Sequence, residues 1–259
     1  METGTMPLAA NQSLEDPLSC LPCSTLLDFR TKEAIFSQGQ PALSLYLVIS
    51  GKVKVYRTSE TGGHQVLMDI YQADEFFGLS AFIGKPHYES AFAMENTQLM
   101  SWTTDEIEGI AATRPQLAMA FIKLVVQRCH ESESRVESFA VDSIQSRLAR
   151  ALVRFSERFG HELEDDTIEI MALPHELIAQ YLGTSREIVT HFMIRFRRLG
   201  YLRYSRREVI VDAHRLRNWL NAHATTGMSP QELACESVKQ ETANDRRRLD
   251  PKKVRTANA

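Results

Sequence analysis

The sequence predicts an α+β protein built in three consecutive parts: an N-terminal antiparallel β barrel, one long helix, and a C-terminal winged helix-turn-helix. Three observations carry that expectation. Between about residues 33 and 102, apolar and polar residues alternate with a period of two, interrupted by Gly-containing turns, as in an antiparallel sandwich or barrel. After Pro115 the period changes to an unbroken 4-3 spacing, the seam of a coiled coil. From Pro174 two short amphipathic helices meet at Gly183 and a strand pair follows, the plan of a winged helix-turn-helix.

The elements follow in order. Residues 1–24 contain Pro7, Pro17 and Pro22 without periodicity and are expected to be a loosely ordered arm. Residues 25–112 hold the barrel. Its strands include an apolar run at 45–49 ending at Ser50 and Gly51, an alternating stretch at 52–56, and a strand at 65–71 after the turn at 60–63. Residues 98–102 close the series. Residues 113–141 form the long helix. Its seam is Ala118, Ile122, Val125, Cys129, Ser132, Val136 and Phe139, expected to face a second copy of the chain, since Ser132 and the polar residues 130–135 make a poor globular core. Leu117, Phe121 and Leu124 add a second stripe in the first half only, suited to packing on the barrel. A plain amphipathic core helix is the alternative.

Residues 142–221 form the winged helix-turn-helix. A helix from Ser143 ends at Gly160, a strand follows at 168–170, and Pro174 opens the next helix, where its missing N–H costs nothing. Leu177, Ile178, Tyr181 and Leu182 form its apolar face. Ser185 caps the second helix, with Ile188, Val189, Phe192, Phe196 and Leu199 expected inside. Strands at 201–203 and 208–211 make the wing, and the polar residues 222–259 are expected to be a disordered tail.

Composition bounds the function. The chain has 259 residues, 43% hydrophobic and 24% charged, at a net charge of −3, which suits about two globular domains. It has no apolar run long enough to span a bilayer, no basic leader and only four cysteines, so the expected place is the reducing cytoplasm, away from membranes. The small net charge conceals an asymmetry. Residues 1–140 carry 10 Lys/Arg against 17 Asp/Glu, whereas residues 183–220 carry nine Arg and three acids. A basic block on an acidic chain suggests a module that binds a polyanion.

The second helix of the pair carries side chains suited to double-stranded DNA. Arg186 presents a planar fork for guanine O6 and N7, and Glu187 can accept from a cytosine amino group. Thr190 and His191 lie one turn later on the same face. Thr184 and Ser185 sit at the helix start, where hydroxyls and backbone N–H groups suit a phosphate. Arg195, Arg197 and Arg198 would add sequence-independent attraction.

Here the residues carry a resemblance. The segment 173–191, LPHELIAQYLGTSREIVTH, resembles the DNA-binding motif of the CRP/FNR family of bacterial transcription regulators. Gln38–Gly39, the stretch 46–55 around Gly51, and Phe77–Gly78 resemble that family's jelly-roll sensor domain. The resemblance covers about residues 30–220 and implies a homodimer on a roughly palindromic operator, with RNA polymerase as a further partner. Many members have a second arginine where this chain has His191, which implies a different half-site preference and a weaker, pH-dependent contact.

Cyclic-nucleotide-binding members hold the ribose with a Glu after the cassette Gly, and the phosphate with an Arg before Ser-Ala. Here Phe77, Gly78, Leu79 and Ser80 lack that Glu, and Glu89–Ser90 puts a carboxylate where the Arg belongs. These six residues are the expected effector pocket, and no binding of cyclic AMP in the familiar way is expected, because like charges repel. Iron–sulfur members use a cysteine cluster; Cys20 and Cys23 resemble its start, but no third cysteine follows nearby and Met100 stands at the barrel position. A redox-responsive regulator using Cys20 and Cys23, or Cys129, is therefore the alternative. His64 and His87 fall in barrel loops and are expected to be exposed rather than haem ligands. No cofactor or metal is expected, and the His/Glu cluster of a cupin enzyme is missing between residues 34 and 102. A small-molecule sensor or a protein-interaction adaptor without DNA binding remains the reading from a different class.

Overall fold

The structure is a computed structural model; it describes residues 21–60, 62–204 and 208–224. The chain divides into two compact units at residues 133 and 134, inside its longest helix. The arm up to Cys20, the wing tip at 205–207 and the tail beyond residue 224 lie outside the described residues.

The first unit is two antiparallel sheets face to face. Its strands are β1 (Thr25–Phe29), β2 (Ala34–Phe36), β3 (Ser44–Ser50), β4 (Val53–Thr58), β5 (Gln65–Tyr71), β6 (Phe76–Phe77), β7 (Ser90–Ala93) and β8 (Thr97–Thr103). One sheet runs β1-β8-β3-β6 and the other β2-β7-β4-β5. Apart from the β4–β5 hairpin, neighbours in each sheet are not consecutive in sequence, so the chain crosses repeatedly between sheets, which is the jelly-roll arrangement. The crossing from β3 to β4 turns at Gly51, where φ is +86° and an added Cβ would lie 2.8 Å from the Thr97 backbone. Only glycine fits there. Phe36, Val48, Val53, Val55, Tyr71, Phe77 and Leu99 fill the space between the sheets.

Helix α1 (Thr104–Thr113) follows β8, and α2 (Pro115–Val141) is the long helix. At about 1.5 Å per residue, α2 is on the order of 40 Å long. Leu117 and Phe121 of its first half pack with Leu45, Leu47, Phe76 and Trp102 of the barrel and Ile107 of α1, and Leu124 lies against the same cluster. That is the second stripe read from the sequence. Two elements were not expected. Strand β1 is an edge strand whose Leu26 is exposed, so it lacks a clean alternation. Helix α1 buries only Ile107 and rests on its cap: Thr103 accepts from the Glu106 N–H while Glu106 accepts from the Thr103 N–H.

The second unit contains α3 (Ile144–Phe159), β9 (His161–Glu162), β10 (Ile168–Met171), α4 (His175–Leu182), α5 (Arg186–Arg198), β11 (Leu202–Tyr204), β12 (Glu208–Val211) and α6 (Ala213–Ala224). Its sheet runs β11-β12-β10-β9, all antiparallel. Leu148, Leu152, Phe155, Val189, Met193, Phe196, Val211 and Leu216 are buried within it. Between the end of α3 and β10, the segment at 161–167 begins with the two-residue β9. Helix α6 extends past the expected end of the fold at residue 221, its first turn capped by Asp212, which accepts from the Arg215 N–H at 2.9 Å.

Candidate functional site

Three local features position the recognition helix. Pro174 precedes α4, Gly183 ends it at φ +63°, and the Ser185 hydroxyl accepts from the Ile188 N–H to start α5. The last carbonyls of α4 are then capped from outside. Arg135 of α2 donates to the Tyr181 carbonyl at 2.7 Å, and Arg147 of α3 donates to the Leu182 carbonyl at 3.0 Å. Both guanidiniums lie against the Phe139 ring, 5.6 and 5.1 Å from its centroid. Two cations at the negative end of α4 suit its dipole, and burial lowers the Arg147 pKa. Sequence reasoning missed both arginines, because nothing local ties residues 135 and 147 to residue 181.

Val189, Met193 and Phe196 anchor α5 to the unit, which leaves Arg186, Glu187, His191, Ile194, Arg197 and Arg198 on the exposed side. Two residues expected inside are not. Ile188 is 37% and Leu199 50% exposed, because the buried stripe of this 13-residue helix is narrower than its run of apolar residues. The backbone N–H of Glu187 and the Ser185 hydroxyl donate to the Glu187 carboxylate, and with Arg186 nearby they hold its pKa below the usual range. Thr190 is engaged too: its hydroxyl donates to the Arg186 carbonyl and meets His175 Nδ1, each at 2.8 Å. Burial, then the Arg186 charge, lowers the His175 pKa, so the imidazole is neutral and its Nδ1–H serves as donor to Thr190. Thr184 is half-buried in the turn.

One expected phosphate contact is corrected. Arg195 is half-buried and donates to Gln145 of α3 at 3.2 Å, bracing two helices instead of facing outward. Arg203 on the wing strand is held by Asp165 at 2.6 Å. Arg197 lies over the Tyr204 ring, whose phenol burial pushes up to about 12.

Along α2 the seam residues Ala118, Ile122, Val125, Cys129, Ser132, Val136 and Phe139 are all exposed. The six barrel residues expected to form a pocket separate. Phe77 is a core residue stacked on Tyr46, and the Ser90 hydroxyl, also buried, accepts from the Gln38 N–H at 2.9 Å. Gly78 is buried against Tyr46, and Leu79 and Ser80 are half-buried in the 3-10 turn (Leu79–Ile83) that follows it. Glu89 is half-buried, and burial raises its pKa; Arg128 opposes that shift, Asp69 adds to it, and Arg57 opposes it. An open recess of about 1050 Å³ lies elsewhere, among Asp28, Arg30, Lys32, Glu33, Asn96 and Gln98.

Cys23 and Cys129 are free and exposed, and Met100 Sδ accepts from the Ser24 N–H at 3.4 Å; Cys20 lies outside the described residues. No group of three or more His, Cys, Asp and Glu side chains among the described residues is placed to hold a metal ion. His64 is exposed, but the expectation of an exposed His87 is overturned: it is 3% exposed, stacked on Phe36 with ring centroids 3.6 Å apart. Its Nδ1 has no hydrogen-bond partner among the described residues. Burial lowers its pKa, so the folded state holds it neutral. The stability this gives is complete above the ordinary histidine value of about 6.5 and is lost as pH falls through the folded value. Unit 1 melting, followed by Trp102 fluorescence in a Trp219→Phe background, is therefore expected to fall below about pH 6.5, and His87→Phe to flatten that dependence.

Comparison with known proteins agrees with this geometry. A cyclic nucleotide-binding domain model matches residues 26–114, and a Crp-like helix-turn-helix domain model matches residues 146–219. Together they span both units. The chain belongs to the CRP/FNR family. The family consists of transcription regulators rather than enzymes, and its members bind DNA through the helix-turn-helix. This CRP/FNR chain is 28% identical over 192 residues to a CRP-like cAMP-activated global transcriptional regulator of Mycobacterium tuberculosis, covering 73% of this chain and 85% of the relative. It is 29% identical over 181 residues to the global nitrogen regulator of Synechococcus elongatus, covering 69% and 78%. FixK2 from Bradyrhizobium japonicum shares the fold, with a TM-score of 0.66 at 22% identity over 75% of this chain and 96% of that one. No helix among the described residues is long and apolar enough to cross a membrane.

Proposed function

We propose that this CRP/FNR chain is a homodimeric, sequence-specific DNA-binding regulator that acts in the cytoplasm on a near-palindromic operator. The observation that carries the reading is the exposed face of α5, where Arg186, Glu187 and His191 stand together at the helix start. Thr184, Ser185 and Thr190 shape that end, and Arg197 and Arg198 supply attraction to the phosphate backbone. The exposed seam of α2 supports pairing with a second copy, which would set two α5 helices about 34 Å apart, one turn of DNA. RNA polymerase is the further partner that membership of the family implies. Gel shifts on operators selected from a random library test the reading. Affinity should fall steeply with salt, with a log–log slope of about −0.9 per phosphate neutralised. Binding that is flat in salt, or a selection that yields no common sequence, would count against it.

Cyclic AMP is not the effector in this reading. The Mycobacterium tuberculosis relative is named as cAMP-activated, but this chain has Glu89 where a phosphate-binding arginine would stand, with Asp69 acting on the same carboxyl. Calorimetry should detect no micromolar affinity for cyclic AMP or cyclic GMP, and such an affinity would refute the proposal.

A further inference from the structure

Arg128 lies on the flank of α2 that continues the barrel-facing stripe of Leu117, Phe121 and Leu124, beside the exposed seam. From α2 its guanidinium reaches the barrel, where it donates to the Phe76 carbonyl of β6. The same guanidinium lies 4.9 Å from the centroid of the Tyr71 ring at the end of β5. Arg128 is the largest charge acting on the half-buried Glu89 carboxyl, and Asp69 adds a second negative charge there. A flat cation resting on an aromatic face, donating to a carbonyl, with carboxylates nearby, is how a guanidinium ligand is held. Phe76 immediately precedes Phe77 and Gly78, so this contact ties α2 to the strand that leads into the expected effector segment.

We propose that the Tyr71 face and the Phe76 carbonyl form a guanidinium-binding subsite of the barrel, with the Glu89 carboxylate attracting the cation from a longer range, and that Arg128 fills it as a ligand tethered to α2. The barrel then holds the helix in one position without a diffusible effector. A small molecule acting at this site would carry a guanidinium or amidinium group and compete with Arg128, not an anionic phosphate. This rests on the reading of the barrel as the regulatory half of a DNA-binding protein, but its test does not use DNA.

The full-length Arg128→Ala variant empties the subsite. Its unit 1, followed through Trp102 in a Trp219→Phe background, should melt several degrees below the same background with Arg128 intact, and low-millimolar methylguanidinium chloride should restore most of that loss. Sodium chloride and methylammonium chloride at the same concentration should not, and the double variant with Glu89→Gln should show weaker rescue. A wild-type melting temperature in Arg128→Ala overturns the proposal, as does rescue that the other salts match. Should Arg128→Ala not fold, arginine Nε–H resonances of the wild-type protein give the second measurement. The Arg128 resonance, assigned by its loss in Arg128→Lys, should carry a Tyr71 ring-current shift that Tyr71→Leu removes. Its absence overturns the proposal equally. Failure of the DNA reading would appear as unselective gel shifts and leave these melting results untouched.

Discussion

Arg186→Ala is expected to lower affinity for the selected operator by about 1–3 kcal/mol, roughly 5- to 150-fold, while leaving affinity for unrelated DNA nearly unchanged. The position makes this a loss of reading rather than of attraction. Arg186 is the first residue of α5, exposed, just after the Ser185 cap. A side chain there projects from the helix end that enters the major groove, and its fork fits guanine O6 and N7 together. Arg186→Lys keeps the charge but loses the fork, so it should recover phosphate attraction and little of the discrimination. Arg198→Ala should do the reverse, weakening all sequences alike and reducing the salt slope by about one phosphate. The measurement is a pair of gel-shift titrations, on the operator and on a variant with the guanine position replaced. If Arg186→Ala loses affinity equally on both, Arg186 contacts the backbone and another residue reads the base. Glu187 would then be the next residue to test, although its carboxylate must first leave its bonds to the Ser185 hydroxyl and its own N–H.

The parts of this site that sequence made visible are those decided within a few residues. Pro174, Gly183 and Ser185 each act on the backbone beside them, so the turn between α4 and α5 could be placed before any packing was known. The same holds for the 4-3 seam of α2, which is a property of one helix. Contacts between distant segments were not visible. Arg195 and Gln145 are 50 residues apart, and Arg135 and Tyr181 are 46 apart. A string of arginines gives no sign of which will be spent on a neighbouring helix and which will face DNA. His87 is a similar case: its loop position suggested exposure, whereas the Phe36 ring covers it. Helix α1 was missed although Thr103 and Glu106 stand at the capping-box spacing, because its single buried residue, Ile107, leaves no amphipathic period to go with the cap.

Phe196→Ala is expected to cost unit 2 about 3–5 kcal/mol, the usual toll of removing a buried phenyl ring and leaving a cavity. That is a large share of the 5–15 kcal/mol by which ordinary domains are stable. Phe196 is fully buried on the inner face of α5 and meets Tyr201 and Trp219 edge to face, with centroids 6.0 and 5.6 Å away. It therefore joins the recognition helix to the start of the wing and to α6, and no neighbouring ring can fill its place without leaving its own contacts. The chain supplies the reporter for this loss. It has two tryptophans, Trp102 in the barrel and Trp219 beside Phe196, so in a Trp102→Phe background the emission follows unit 2 alone. The urea midpoint of that emission should drop with little change in slope, and Phe196→Leu should recover most of it. Affinity for DNA should fall only in proportion to the fraction of unit 2 still folded, with base preference intact, because the exposed face of α5 is unaltered. Arg186→Ala should show the opposite pattern, an unchanged midpoint with lost base preference. A variant at Phe196 that loses base preference while its midpoint stays at the wild-type value would mean that the inner face of α5 sets how the helix lies in the groove as well as holding it to the fold.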